Sequence, residues 1–183
     1  MTVYLETKRL IMRELKGSDG KGMFELDSNQ RVHKYLGNNP ISTTAEAQDN
    51  IAFIIKQYKE RGIGRFAVIE KYSGKFIGWS GLKFNTGDTE TLGNKRDFYD
   101  IGYRFIPEFW GKGYATESAI ASLKYGFEQL QLHTIYGAAA QENAASNSVL
   151  KKIGLNCIEQ FDLDGTIINW YELNKKSYAE TMS

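Results

Sequence analysis

Apolar residues change their spacing several times along the chain, and each change marks an element. Residues 9–13 (Arg-Leu-Ile-Met-Arg) form a strand-like run, and Ser18-Asp19 then caps a helix carrying Met23, Phe24 and Leu26. After a polar turn at residues 37–40, Thr43 or Thr44 caps a second helix. Its Ile51, Ile54, Ile55 and Tyr58 share one face, and Gly62 and Gly64 end it. Residues 65–70 and 76–84 flank Tyr72-Ser73-Gly74-Lys75, a hairpin signature. The polar stretch 85–96 predicts an exposed loop within reach of a substrate. Tyr99-Asp100-Ile101-Gly102-Tyr103-Arg104-Phe105 alternates with a period of two, a strand ending in the turn at Pro107. Ala119, Ile120, Leu123, Phe127 and Leu130 then mark a long amphipathic helix that feeds a strand over residues 134–140. A shorter helix with Val149, Leu150 and Ile153 stops at Gly154. Strands 155–161 and 167–173 follow, joined through Asp164-Gly165. The reading is α/β with a mixed, mainly antiparallel sheet.

Composition narrows the class. With 183 residues, 42% apolar and 25% charged, the chain suits one globular domain spanning residues 1–183. Thirteen per cent aromatic residues and two prolines argue against disorder. A formal net charge of +1, with basic and acidic residues interspersed, gives no footprint for nucleic acid. The lone Cys157 excludes an internal disulfide, and the opening Met1-Thr2-Val3-Tyr4-Leu5-Glu6 lacks the basic and apolar parts of a signal peptide. No apolar run approaches the roughly 20 residues that span a bilayer. A cytoplasmic protein with no membrane partner is expected. His33, His133 and Cys157 are too few and too dispersed for a transition-metal site, so no metal is expected. Both histidines lie in polar surroundings and read as surface residues. Trp79, Trp110 and Trp170 read as core or interface.

One segment carries chemistry. Trp110-Gly111-Lys112-Gly113-Tyr114-Ala115-Thr116-Glu117 lies between a strand end and a helix start, where backbone N–H groups lack helical partners and the dipole is positive. Two glycines let a ligand approach the backbone, and Lys112 adds charge. Each hydrogen bond to a charged group contributes about 1.5 to 3 kcal/mol, so a few amides go far towards holding a pyrophosphate. A Walker loop would need Ser or Thr after Gly-Lys, whereas Lys112 is followed by Gly113. A dinucleotide fingerprint is disfavoured by Thr116 at its third small position and by the late place in the chain. The plain alternative is a tight strand-to-helix turn with no ligand.

Residues Trp110 to Ala115 resemble the phosphate motif of the Gcn5-related N-acetyltransferase (GNAT) superfamily: Arg or Gln, two residues, Gly, one residue, then Gly or Ala. Trp110 departs from the usual first residue in a way that resembles the branch of ribosomal-protein N-terminal acetyltransferases (RimJ/RimL-like). Three further stretches match in register: Thr7-Lys8-Arg9-Leu10-Ile11-Met12-Arg13, Asp100 to Phe105, and Asn143-Ala144-Ala145-Ser146 running on to Lys152-Ile153-Gly154-Leu155. The resemblance implies a GNAT fold, with a six- to seven-stranded mixed sheet, about four flanking helices and two central parallel strands that splay to admit the pantetheine arm. It implies acetyl-CoA as co-substrate. Contacts would come from backbone near Phe105 and Ile106, from Gly111, Lys112, Gly113, Tyr114, Ala115 and Thr116, and from Asn143 and Ser146.

Acetyl transfer from a thioester to an amine needs a neutral nitrogen, a stabilised oxyanion and a protonated thiolate. Asp100 is the candidate base by its place in the resemblance, directly or through water; it reads equally as a surface aspartate at a strand end. Ser146 is the candidate proton donor to the CoA thiolate, with helix capping as the alternative, and Asn143 has the same alternative. Tyr103 is a second candidate acid. At pH 7, deprotonating a lysine costs roughly 4.6 kcal/mol and an α-amine about 1 to 1.4, so a protein N-terminus demands less of the site. The resemblance favours that acceptor. A small amine (aminoglycoside, polyamine or amino-acid derivative) and a non-catalytic acetyl-CoA-binding regulator are the alternatives. Acceptor choice is expected in residues 32–44 and 85–96. A homodimer using exposed aromatics such as Trp170 and Tyr171 is the expected assembly.

Overall fold

The computed structural model describes residues 4–182, with side chains as far as residue 180. Residues 1–3, which belong to the opening stretch read above for a leader, lie outside the described residues. Eight strands and six α-helices are present among the described residues. In chain order they are β1 (Tyr4–Glu6), β2 (Leu10–Glu14), α1 (Gly20–Asp27), α2 (Gln30–His33), α3 (Thr44–Arg61), β3 (Phe66–Glu70), β4 (Phe76–Asn85) and β5 (Phe98–Phe105). Then come α4 (Tyr114–Lys124), β6 (Thr134–Ala140), α5 (Ala144–Lys152), β7 (Asn156–Leu163), β8 (Thr166–Asn174) and α6 (Lys175–Met182). The strands hydrogen-bond in the order β1-β2-β3-β4-β5-β6-β8-β7. One pair, β5 with β6, is parallel. The mixed α/β reading therefore holds, with one more strand and two more helices than the sequence suggested. The additions are short or terminal: β1 has three residues, α2 has four, and α6 closes the described chain. Among the described residues no helix is long and apolar enough to cross a membrane.

The chain packs as two compact units, and β4 and β5 run through both. One comprises the chain up to Gly81 together with Gly102–Ala121; the other comprises Leu82–Ile101 and the chain from Ser122.

In the first unit β1 to β4 form an antiparallel ladder, with Leu5 opposite Met12, Met12 opposite Val68 and Val68 opposite Gly78. Helices α1 and α3 cover one face and bury Leu15, Met23, Leu26, Ala47 and Ile51 against Ala67 and Ile106. Helix α3 starts where Thr43 and Glu46 form a reciprocal capping box, which satisfies two of the helix's first N–H groups, and it stops at Gly62. Tyr58 ties it to the sheet: its hydroxyl accepts the Leu15 N–H at 3.1 Å and donates to the Arg65 carbonyl.

In the second unit β5 lies parallel to β6, with Asp100 opposite Tyr136, and β6, β8 and β7 continue antiparallel. The core here is aromatic. Trp170 stacks on Tyr136 with ring centroids 5.0 Å apart and meets Phe98 edge to face. Trp170 is 3% exposed and Tyr171 is fully buried, so the expected dimer aromatics are core residues and offer nothing to a partner. Tyr171 is buried against α5, where its hydroxyl donates to Asn147, and Trp170 is buried against Phe98 and Tyr136. The helix expected to run through Leu130 is α-helical to Lys124 and continues as a π-helical turn over Tyr125–Gln129. Phe127 is buried within that turn, whereas Ile120, expected on the same apolar face, is exposed. The 85–96 stretch is only partly the open loop expected. Glu90 is tucked in against Lys83 at 2.9 Å, Asp88 pairs with Arg96 at 2.7 Å, and Lys95 reaches Glu159 of β7.

Candidate functional site

The phosphate-loop candidates lie in the first unit, where β5 gives way to α4. A 3-10 turn, Pro107–Phe109, follows the strand, and Gly111 and Gly113 then adopt φ of 72° and 80°, a left-handed region that L-residues with side chains enter at a cost. These two turns bring Tyr114 in as the first residue of α4. Ala115 and Thr116 complete its opening turn, where amides have no partner within the helix. A Cβ at Gly111 would meet nothing within 4 Å, so the backbone there is open to an approaching group. Gly111, Lys112 and Gly113 are exposed, and the Lys112 ammonium rests 5.0 Å from the Phe109 ring centre. Geometry and dipole both suit an anion.

The loop stands on a polar cluster whose members lie far apart along the chain. Glu117, in the first turn of α4, accepts the Thr7 hydroxyl at 2.6 Å, the Arg9 N–H at 2.9 Å and the Arg9 Nε at 2.6 Å. A second guanidinium nitrogen of Arg9 donates to the Lys112 carbonyl at 2.9 Å, and the guanidinium lies 4.4 Å from the Tyr114 ring centre. The Tyr114 hydroxyl donates to Glu70, which also accepts from Ser73. Burial pushes the Glu117 carboxyl up, but the bonds from Thr7 and Arg9 outweigh it and hold the group below the usual carboxylate range. Glu70 is held low by Ser73 and then by Tyr114, while the Tyr114 phenol is raised by its bond to Glu70. In the sequence Thr7 stands only within the GNAT resemblance, and Arg9 there and at the head of the 9–13 strand-like run.

At the end of β5 the backbone is largely committed. The Ile106 N–H donates to the Ile77 carbonyl of β4 at 3.0 Å, and its carbonyl accepts from Phe109 at 2.9 Å. The Phe105 carbonyl accepts the Trp110 indole N–H at 2.7 Å. Strand alternation puts the Phe105 N–H on the edge facing away from β4, alongside that carbonyl. Tyr103, two residues earlier, is half-buried.

The remaining candidates lie in the second unit. Asp100 is half-buried and accepts from the Asn85 amide at 2.9 Å. Asn143 caps α5, its side chain accepting the Ser146 N–H at 3.1 Å. Behind them sits Asn147, a residue not singled out in the sequence. Its amide donates to the carbonyls of Ala140 (2.9 Å) and Asn143 (2.8 Å), while its oxygen accepts from Asn169 and from the Tyr171 hydroxyl, each at 2.7 Å. It pins the start of α5 to the end of β6.

His133 is exposed, as expected. His33 is not: it is 7% exposed, and neither ring nitrogen has a hydrogen-bond partner. Burial, then the Arg104 guanidinium, hold its pKa below the usual imidazole value against the opposing pull of Asp27. His33 is the last residue of α2, a short polar stretch that the sequence reads as surface.

A family model described as an acetyltransferase (GNAT) domain matches residues 9–156, most of the chain. The chain belongs to the GNAT acetyltransferases. The N-acetyltransferase YnaD of Bacillus subtilis is 34% identical over 153 residues, covering 84% of this chain and 82% of that protein. The crystal structure of a GNAT-family acetyltransferase from Bacillus anthracis superposes with a TM-score of 0.77 at 26% identity, over 95% of this chain and 99% of that one. The spermidine N(1)-acetyltransferase of Escherichia coli K12 is 26% identical over 163 residues, 89% of this chain and 78% of that enzyme. RimL, a ribosomal L7/L12 α-N-protein acetyltransferase solved with coenzyme A, shares the fold with a TM-score of 0.77 at 16% identity, over 96% and 99% of the two chains. The protein is accordingly an acetyl-CoA-dependent N-acetyltransferase of the GNAT family.

Proposed function

We propose that this GNAT enzyme acetylates the N-terminal α-amine of a protein by direct transfer within a ternary complex, acting as a single domain over residues 1–183. The observation that carries the acceptor reading is the charge of the two acceptor segments. Residues 32–44 contain no carboxylate, and in residues 85–96 Asp88 is paired with Arg96 and Glu90 with Lys83. A polyamine carries several ammonium groups and needs uncompensated carboxylates; a peptide N-terminus brings one amine whose deprotonation at pH 7 costs only about 1 to 1.4 kcal/mol.

In this reading the Gly111, Lys112, Gly113, Tyr114, Ala115 and Thr116 backbone binds the CoA pyrophosphate. The pantetheine arm follows β5 near Phe105 and Ile106, and Asn143 and Ser146 contact it from the start of α5. The Phe105 N–H polarises the acetyl carbonyl. Asp100, alone or through water, removes the proton as the amine nitrogen attacks the carbonyl carbon. The C–N bond forms, the C–S bond breaks, and the thiolate takes a proton from Ser146 or Tyr103. The test is acetyl-CoA binding by calorimetry followed by thiol release with alanine-initiated hexapeptides and with spermidine. Release on peptides at least about tenfold more efficient in kcat/KM is expected; the reverse order refutes the acceptor assignment.

A further inference from the structure

Lys95 carries an ammonium group, yet its side chain is only 20% exposed, against 41% for the Glu159 with which it pairs. The nitrogen also lies 5.8 Å from the ring centres of both Phe161 and Trp170. Two aromatic rings and a carboxylate make an ammonium site. Its walls stand on strands: Glu159 and Phe161 on β7, and on β8 the buried Trp170, which stacks on Tyr136 of β6 and meets Phe98 edge to face. Its occupant stands on a loop, whose base is closed where Thr86 donates to Asp97 at 2.6 Å and Asn85 donates to Asp100 at 2.9 Å. All of these residues belong to the second unit. The seat also faces the same way as Asp100. Phe98 and Asp100 are two residues apart on β5 and so share a face, and Phe98 meets Trp170. Asp100 lies opposite Tyr136, and Trp170 lies opposite Ala138, two residues further along β6. Two strand steps of about 4.8 Å and two residues of about 3.3 Å put the seat about 12 Å from Asp100.

We infer that this seat is a cation subsite for the acceptor, held by the enzyme's own Lys95 until an acceptor ammonium displaces it. The ligand it takes is a primary alkylammonium, the side chain of a lysine at the second or third residue of the acceptor peptide. An extended chain advances about 3.3 to 3.6 Å per residue, and the lysine side chain adds its own length, so the seat is within reach of an amine held at Asp100. Exchange keeps the charge balanced: one ammonium replaces another, and Glu159 stays paired throughout. A seat that is open for only a fraction of the time binds its ligand more weakly by that fraction, so Lys95 screens out acceptors that bring no competing cation. The assignment to an acceptor peptide rests on the function proposed above; the seat itself rests on the geometry of Lys95, Glu159, Phe161 and Trp170.

The first arm of the test needs no turnover. n-Butylammonium and its neutral counterpart n-butanol are titrated against the intact protein, with tryptophan fluorescence reporting on the Trp170 wall. Lys95→Ala removes the occupant, and Glu159→Gln in that background removes the charge of the seat. Butylammonium should bind Lys95→Ala at least about tenfold more tightly than wild type, butanol should bind both alike, and Glu159→Gln should cancel the gain. Equal butylammonium affinity in wild type and Lys95→Ala, or an equal gain for butanol, overturns the seat. The second arm compares thiol release on hexapeptides in which alanine is followed by two lysines or by two norleucines. Lys95→Ala should raise kcat/KM about threefold or more on the lysine peptide and leave the norleucine peptide unchanged. An unaltered ratio between the peptides overturns the assignment of the seat to the acceptor. Release on neither peptide, with butylammonium still bound, refutes the peptide reading and that assignment together, so the two failures are told apart.

Discussion

Replacing Glu117 by alanine tests whether the phosphate loop depends on the cluster beneath it. The carboxylate accepts three bonds, from the Thr7 hydroxyl, the Arg9 N–H and the Arg9 guanidinium. The Arg9 side chain is 41% exposed against 18% for Glu117, so water largely replaces the guanidinium bond. The Thr7 and Arg9 backbone bonds then dominate, at about 1.5 kcal/mol each, for a loss of about 3 kcal/mol. With a urea slope near 2 kcal/mol/M this moves the unfolding midpoint down by about 1.5 M at pH 7. The released Arg9 also relaxes its bond to the Lys112 carbonyl, and acetyl-CoA affinity measured by calorimetry should weaken about tenfold. The pH sign follows from the lowered carboxyl. Its stabilisation is complete above the ordinary carboxylate range and is lost as pH falls through the lowered folded value, so wild type and variant converge in acid. A stability loss under about 1 kcal/mol, or a full loss with unaltered acetyl-CoA affinity, refutes the idea that this cluster supports the loop.

Three further outcomes are expected. Gly113→Asp places a side chain at φ 80° and a negative charge beside the pyrophosphate, and should weaken acetyl-CoA binding by about a hundredfold while costing about 1 to 2 kcal/mol of stability; calorimetry and urea titration separate the two. Asn147→Ala removes a buried hub and strands the Asn169 amide and the Tyr171 hydroxyl, so it should cost about 3 kcal/mol or more, and a midpoint within error of wild type would contradict that accounting. His33, facing Asp27 of α1 and Arg104 of β5, has a folded pKa below its usual value. The unfolded chain therefore binds the extra proton first, and stability falls as pH drops below the ordinary imidazole range. His33→Leu should flatten the stability difference between pH 7 and pH 5.5, and an unchanged difference would assign that loss to other groups.

Legibility followed the range of the interactions. Helix α3 was readable because its capping box and apolar face are local, and the β3–β4 hairpin because its turn residues lie between its strands. The loop at Gly111 and Gly113 was readable because a strand end, two glycines and a helix start are adjacent. Thr7 and Arg9 act on Glu117 from more than a hundred positions away, and no periodicity records such a pairing. Asn147 looked like one more polar residue of a short helix until Asn169 and Tyr171, far downstream, were placed against it. The misjudged burials of His33, Trp170 and Tyr171 have the same origin: each is covered by elements distant in sequence. Alternation within a strand reports which face a residue takes, not whether that face is covered.

The Thr7–Arg9–Glu117 cluster also bears on how this protein can be cut and changed. The span shared with the family, residues 9–156, begins two residues after Thr7 and stops before β8. A fragment trimmed to that span keeps every glycine of the phosphate loop yet forfeits one of the three bonds on Glu117, along with Trp170 and Tyr171. Because Thr7 and Arg9 share one acceptor, a change at any of positions 7, 9 and 117 is expected to alter what the other two tolerate. A lineage that altered the carboxylate would be under pressure to replace both of its partners, so these positions should drift together, whichever acceptor the enzyme serves.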